Sequence, residues 1–200
     1  MKKIKGLLLV GCIVLLITGC KDVFTVKNKK VDYLSGKYNV EMSIKKYGKI
    51  LLELDADIAP ITVTNFMNLV RNGSYDGNKI HRVAKDFVIQ GGQLDNAETI
   101  KGEFLANGVE NNISHVRGVI SMARAGDNTS GYDTGSSQFF IVTKDSTFLD
   151  NYYAGFGKVT KGMDVVDKIN KEVKNVDAES GTVLKDSDMP VIEYIKEIEK

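Results

Sequence analysis

Val40-Glu41-Met42-Ser43-Ile44 alternates apolar with polar residues, Tyr47-Gly48 interrupts, and Ile50, Leu52 and Leu54 resume the alternation against Leu51, Glu53 and Asp55. A period of two is that of a strand with one face buried. Two such runs separated by a short glycine-bearing break read as a β-hairpin. From Ile80 onward the strand signal is instead short apolar runs between turn residues. Phe87 to Gln90, Val119 to Ala123, Gln138 to Val142, Gly155 to Val159 and Val191 to Ile198 are short apolar runs set apart by Gly, Asn and Asp, and each predicts a strand.

Two segments depart from that period. After Ala59-Pro60, residues Val63, Phe66, Met67 and Val70 fall at i, i+3, i+4 and i+7, with Pro near the start and Gly73 past the end, which predicts an amphipathic helix with its stop signal. Met163, Val166 and Ile169 share a face over Met163 to Asn170, with Gly162 ahead of them, and predict a second, shorter helix. The expected class is mostly β with two helices. Closing the sheet into a barrel would remove its exposed edges.

The first nineteen residues are set aside from the fold as a targeting segment. Lys2, Lys3 and Lys5 give a positive start, Gly6 to Ile17 is uncharged and apolar, and Ile17-Thr18-Gly19-Cys20 closes the run with small residues before a cysteine. The run is too short for a comfortable bilayer span, which takes about 20 apolar residues. This stretch resembles bacterial lipoprotein precursors, in which such a cysteine carries a diacylglycerol thioether and becomes the first mature residue. That resemblance implies lipidation of Cys20, a palmitate-bearing anchor and an extracytoplasmic location on the outer face of the bacterial cell membrane. An ordinary signal peptide or an uncleaved N-terminal anchor is the alternative. Residues 20–37, the cysteine and a polar, Lys-rich stretch without sustained apolar period, are expected to form a tether reaching about 20 Å. Residues 38–200 are expected to form one domain.

Composition narrows the function. Without residues 1–19 the chain keeps 24 basic against 26 acidic residues, about net −2, and no nucleic-acid partner is expected. Cys12 leaves with the signal and Cys20 would be acylated, so stability is expected from a packed core and not from disulfides. The sequence has no GxSxG, P-loop, GxGxxG or HExxH motif, and only His81 and His115 among histidines, so no metal site or cofactor is expected.

An ordered set of segments carries a positive signal. These are Ala59-Pro60 with Thr62-Val63 and Asn65-Phe66, then Ile80-His81-Arg82, Phe87-Val88-Ile89-Gln90-Gly91-Gly92 and Ile100-Lys101-Gly102-Glu103-Phe104. They continue with Arg117-Gly118-Val119, Ser121-Met122-Ala123, Ser137-Gln138-Phe139-Phe140-Ile141 and Phe148-Leu149-Asp150, and end with Phe156-Gly157-Lys158-Val159. In this order they resemble the cyclophilins over about Tyr38 to Ile198. The resemblance implies a closed eight-stranded antiparallel barrel capped by two α-helices. It also implies peptidyl-prolyl cis/trans isomerisation without cofactor or covalent intermediate, acting here on proline-containing polypeptides such as unfolded exported proteins, by a monomer.

The resemblance carries over site residues as well. Arg82 matches the catalytic arginine, with Gln90 as the partner that fixes it, and Phe87 and Phe140 complete the catalytic set. Val88 and Leu149 help line the proline socket. Ala123, Arg124 and Gln138 match positions along the substrate backbone, Phe148 and Tyr153 the rim, and His81 stands beside the arginine, where a structural role is the simpler reading. Independently, strand parity puts Gln138 and Phe140 on one face and Phe139 and Ile141 on the other, leaving Phe139 to the core. His115 reads as structural, and Gly91-Gly92 as a tight bend.

Three departures from the family bear on selectivity. The stretch Gln93 to Ile100 is shorter than the Gly/Thr-rich loop of many members, which is expected to open one wall of the groove. Gly126 to Ser136 (GDNTSGYDTGS) is longer and is expected to fold over the site. Phe148 stands where many eukaryotic members carry tryptophan, whose indole N–H phenylalanine lacks, so weakened cyclosporin binding with catalysis kept is expected, and Tyr153 replaces a frequent histidine. A non-catalytic module that binds proline segments, a holdase at the membrane surface, or a scaffold lipoprotein remain the alternatives to an enzyme.

Overall fold

The computed structural model describes residues 32–126 and 130–199, so the expected signal segment, Cys20 and most of the tether lie outside the described residues. The chain runs through β1 (Lys37–Ile44), β2 (Gly48–Asp55), α1 (Pro60–Arg71), β3 (Ile80–Ala84), β4 (Val88–Gly91), β5 (Val119–Met122), β6 (Phe139–Val142), β7 (Gly155–Lys161), α2 (Met163–Glu172) and β8 (Ile192–Ile198). Residues ahead of β1 are already tied down, with Leu34 N donating to Thr64 Oγ1 at 2.8 Å and Gly36 N to Asp57 Oδ1 at 2.7 Å.

The strands form one antiparallel sheet in the order β3-β4-β6-β5-β7-β2-β1-β8. It curls strongly into a near-barrel whose edges approach each other. Lys79 bridges Val191, Ile80 N donates to Pro190 O at 2.9 Å, and Ile192 N donates to Asn78 O at 2.7 Å. These bonds use donors and acceptors that an open edge would leave unpaired. Seven strands lie on the runs that alternation picks out. The eighth, β3, does not, for a reason that also builds the site.

The inward faces make the main core. Val40, Met42 and Ile44 from β1 meet Ile50, Leu52 and Leu54 from β2, and α1 buries Val63, Phe66, Met67 and Val70 against them. Phe66 is ringed by Tyr75, Phe139 and Phe156 at centroid distances of 5.3, 5.6 and 5.2 Å. Burial of side chains this large contributes about 1.5–3 kcal/mol each. The start of α1 has no capping side chain of its own. Instead Glu103, buried and distant in sequence, accepts from Ile61 N at 2.9 Å and from Thr62 N and Oγ1 at 2.7 Å, placing a carboxylate at the positive end of the helix. α2 begins after Gly162, whose φ of +97° turns the chain where a Cβ would lie 2.4 Å from Lys49 O.

Candidate active site

The site is built on the outward face of the sheet, and a one-residue irregularity in β3 places its key residue. Ile80 pairs with Gly91 but Arg82 pairs with Gln90, so His81 is an extra residue with no partner of its own. A bulge of this kind shifts the parity of the strand. Ile80 and Val83, three apart, both point into the main core, while Arg82 points outward beside Gln90. The register then continues across the sheet: Gln90 opposes Phe140 and Phe140 opposes Ser121. Arg82, Gln90, Phe140 and Ser121 therefore form one cross-strand row on four neighbouring strands.

A second, smaller apolar cluster covers this outward face: Val88, Val119, Phe140, Val142 and Leu149, with Phe87, Ala123 and Tyr153 packed against it. It floors a cavity of about 180 Å³ lined by Arg82, Phe87, Val88, Gln90, Ala123, Arg124, Phe140, Leu149 and Tyr153. Phe140 meets Tyr153 edge to face at 5.8 Å. A larger surface hollow of about 500 Å³ lies elsewhere, near Lys45, Tyr47, Lys174 and Pro190, but lacks this meeting of a fixed cation with an apolar floor.

The Arg82 guanidinium is held on two sides. Nη1 donates to Gln90 Oε1 at 3.1 Å and Nε donates to Ser180 O at 2.6 Å, while the group lies over the Phe87 ring at 5.6 Å. Gln90 is fixed in turn, since its Nε2 donates to Gln138 Oε1 at 2.9 Å. Burial lowers the Arg82 pKa from the ordinary arginine value, yet an arginine stays charged in proteins, so the site presents a desolvated cation with set donor directions.

Nine of the expected site residues line the cavity, and three do not. Gln138 stands behind Gln90 as a support. Phe148 is 67 % exposed and extends the rim, stacking on Phe87 at 5.6 Å. His81 is half-buried; burial pushes its pKa down, and its Nδ1 has no hydrogen-bond partner among the described residues. Phe139 lies in the main core. At Gly92, φ is +82° and a Cβ would sit 2.8 Å from the Phe139 ring, in keeping with a tight bend. Arg124 spans to the longer loop, donating from Nε to Tyr152 O at 2.9 Å and from Nη1 to Ser130 O at 2.8 Å, with its guanidinium over Tyr153, Tyr132 and Phe104. The described part of that loop packs beside the pocket, and Ile100 N donates to Gly135 O at 2.8 Å, joining it to the shortened loop. Ile100, Tyr132 and Gly135 line one side of a small cavity of about 10 Å³.

Two features escaped the sequence reading. One is the Ser180 carbonyl. The other lies under the pocket floor: His115, fully buried, stacks on Phe140 at 6.1 Å, its Nδ1 lies 2.8 Å from Asp150 Oδ1 and its Nε2 2.9 Å from Ser121 Oγ. Burial lowers the His115 pKa, outweighing the opposite pull of Asp150. Burial would raise that of Asp150, but hydrogen bonds from Ser114 Oγ and from the His115 backbone and ring hold it below the ordinary aspartate value. The ring is therefore neutral, with Nδ1–H donating to the carboxylate and Nε2 accepting from the Ser121 hydroxyl. Ser121 is buried, so this chain of hydrogen bonds braces Phe140 and offers no accessible nucleophile.

An arginine tethered beside an apolar floor, on the outer face of an antiparallel near-barrel, makes this cavity the candidate active site of a β-barrel-type protein. Residues 39–193 match the family described as cyclophilin type peptidyl-prolyl cis-trans isomerase. The chain is 42 % identical over 137 residues to peptidyl-prolyl cis-trans isomerase A of Dickeya dadantii, covering 64 % of this chain and 70 % of that protein. It is 36 % identical over 155 residues to peptidyl-prolyl cis-trans isomerase-like 1 of Neurospora crassa, covering 71 % and 92 %. The crystal structure of a cyclophilin-type isomerase from Cryptosporidium parvum superposes with a TM-score of 0.69 at 24 % identity, covering 82 % of this chain and 99 % of that one. A second structure of the parasite protein, determined in the presence of the dipeptide Ala-Pro, gives 0.67. The chain belongs to the cyclophilin-type family and is a peptidyl-prolyl cis-trans isomerase.

Proposed function

We propose that this isomerase acts on exported polypeptides at the outer face of a bacterial cytoplasmic membrane, held there by lipid on Cys20, and that it works by a hydrogen bond from Arg82 to the prolyl nitrogen. The X-Pro bond is held planar by amide resonance, with a barrier of about 18–20 kcal/mol and uncatalysed turnover in tens to hundreds of seconds. Twisting the bond returns the lone pair to the prolyl nitrogen. That nitrogen then accepts a hydrogen bond which the planar ground state cannot take, so a donor fixed at this point stabilises the twisted state selectively.

The observation that carries the reading is the double tether of Arg82. With Nε on Ser180 O and Nη1 on Gln90 Oε1, the guanidinium lines the cavity that Phe140, Val88 and Leu149 floor, and its Nη2 donors are taken by neither of these two bonds. A proline ring seated on that floor is gripped while the chain on one side of the bond turns. Ala123 and Arg124 take the substrate backbone alongside, Gln138 supports Gln90, and Phe148 and Tyr153 form the rim. Ala-Pro, the dipeptide in whose presence a structure of the parasite protein was determined, is the kind of ligand this socket suits.

The test has two arms. Exchange NMR on a proline tetrapeptide series with the chain from Lys21 onward is expected to show strong acceleration, lost by about 10²- to 10³-fold in a folded Arg82→Ala variant. Well-folded wild type without acceleration would leave a binding module. Separately, palmitate label is expected on the chain in cells and is lost with Cys20→Ala. Label persisting in that variant would rule out the anchor assigned here.

A further inference from the structure

The segment between α2 and β8 forms a small arm that docks on the free side of β3. Asp177 N donates to Thr182 O at 2.8 Å and Gly181 N to Asp177 O at 2.9 Å, closing a tight turn. Val83 N donates to Gly181 O at 2.8 Å and Val183 N to His81 O at 2.9 Å, seating the arm on both sides of Arg82. Arg82 and Thr182 form a bridge pair. The bulge at His81 and this arm thus act on the same residue from opposite edges.

The turn is organised by one carboxylate. Asp177 Oδ1 accepts from Ser180 N at 2.8 Å, from Ser180 Oγ at 2.8 Å and from Glu179 N at 3.2 Å. These bonds point the next group along the chain, the Ser180 carbonyl, at Arg82 Nε. Gly181 makes the close approach feasible: its φ is +74° and a Cβ there would sit 2.8 Å from Ala84 Cα. Gln90 fixes only one end of the guanidinium. A planar group held at one nitrogen still swings about that contact, and a second acceptor at Nε stops the swing.

We propose that Asp177 is a positioning residue for the isomerase reaction, holding the 177–181 turn so that the Ser180 carbonyl and Gln90 together fix the plane of the Arg82 guanidinium. This rests on the role given to Arg82 above. The acceptor is a main-chain oxygen and survives any side-chain change at Ser180, so the side chain to remove is that of Asp177. Asparagine keeps the Oδ1 acceptor and alanine does not.

The test uses the full chain with Asp177→Ala, Asp177→Asn and Arg82→Ala, reading kcat and KM separately on a proline tetrapeptide. Because a small misplacement of a catalytic group is costly, Asp177→Ala is expected to lower kcat about tenfold with KM within about twofold, and Asp177→Asn to restore it. The Arg82 Nε–H resonance reports the bond directly: it is expected to be protected from solvent exchange in the wild type and in Asp177→Asn, and unprotected in Asp177→Ala. An unprotected Nε–H in the wild type overturns the proposal even if the alanine variant fails to fold. So does an Asp177→Ala kcat equal to wild type while Arg82→Ala is inactive. An active Arg82→Ala instead overturns the role of Arg82 itself.

Discussion

Replacing Arg82 by lysine keeps the charge and removes the fork, which separates two ways in which a cation at this position can act. In the structure Nε and Nη1 are committed to Ser180 O and Gln90 Oε1, and the plane of the group lies over Phe87. Lysine carries its three donors on one rotating nitrogen and cannot satisfy both acceptors while holding a donor in a set direction. The transition-state bond proposed for Arg82, which would become unfixed, is worth about 1.5–3 kcal/mol for a charged donor. At 1.36 kcal/mol per tenfold, kcat/KM is expected to fall about ten- to a hundredfold. The fold itself should survive: Arg82 is only half-buried, and the lost contact with the Phe87 ring is worth about 0.5–1 kcal/mol, a few degrees in Tm. Two-dimensional exchange NMR on a proline tetrapeptide gives the rate without a coupling protease, and thermal unfolding monitors the fold. An Arg82→Lys enzyme within about threefold of wild type, beside an inactive Arg82→Ala, would refute the reasoning, since a mobile point charge would then suffice.

Gly157→Ala tests the pairing of β2 with β7: its Cβ would lie 2.5 Å from Glu53 O and 2.9 Å from Leu54 Cδ2, so urea unfolding is expected to show a loss of about 1–3 kcal/mol, with the folded fraction still active. Burial lowers the His115 pKa below the ordinary 6.5, so the unfolded chain binds that proton first. Stability is then full above about pH 6.5, declines as pH falls towards the lowered folded value and levels off below it. Scanning calorimetry against pH should show this slope and its loss in His115→Gln; a Tm that rises on acidification over that range would reverse the assignment. Phe148→Trp places the chain's only tryptophan at the rim, 5.6 Å from Phe87, and adds an indole donor. Fluorescence titration is expected to show tighter cyclosporin binding than that of the wild type with unchanged turnover, and equal affinities would show that the rim donor is not what separates them.

Much of the architecture was legible because alternation reports one buried face directly. The hairpin of β1 and β2, both helices and the parity of Gln138 to Ile141 follow from spacing alone. Arg82 was not legible in that way. The bulge at His81 breaks the period of Ile80 to Ala84, so the strand that carries the catalytic candidate is the one that alternation misses, and only the resemblance pointed to it. Glu103 was opaque for another reason: it caps α1 from 41 residues away, and no local pattern records such a contact. The Asp177 arm carried a faint sign in Asp-Ala-Glu-Ser-Gly, a sequence suited to a tight turn, but nothing in it says which strand the turn will meet.

The burial of the central strands explains why this face holds the site. β5 and β6 are buried along their whole length, although an antiparallel strand commonly leaves one side to water. Their inner side chains serve the main core, and their outer ones need the second cluster, with Leu149, Tyr153 and Phe87 brought over them by loops. The proposed prolyl socket is the part of that cluster the loops leave uncovered. Its floor, Phe140, is locked by the register with Gln90 and Ser121 and braced by His115, whereas Arg124 and Tyr153 supply walls and the exposed Phe148 extends the rim. A change in the floor therefore disturbs the second cluster and the hydrogen-bond chain beneath it, while a change at the rim alters what is admitted beside the proline. Selectivity for the neighbouring residue should accordingly shift with substitutions at the exposed Phe148 at nearly constant stability, and substitutions at Phe140 should lower stability and turnover together.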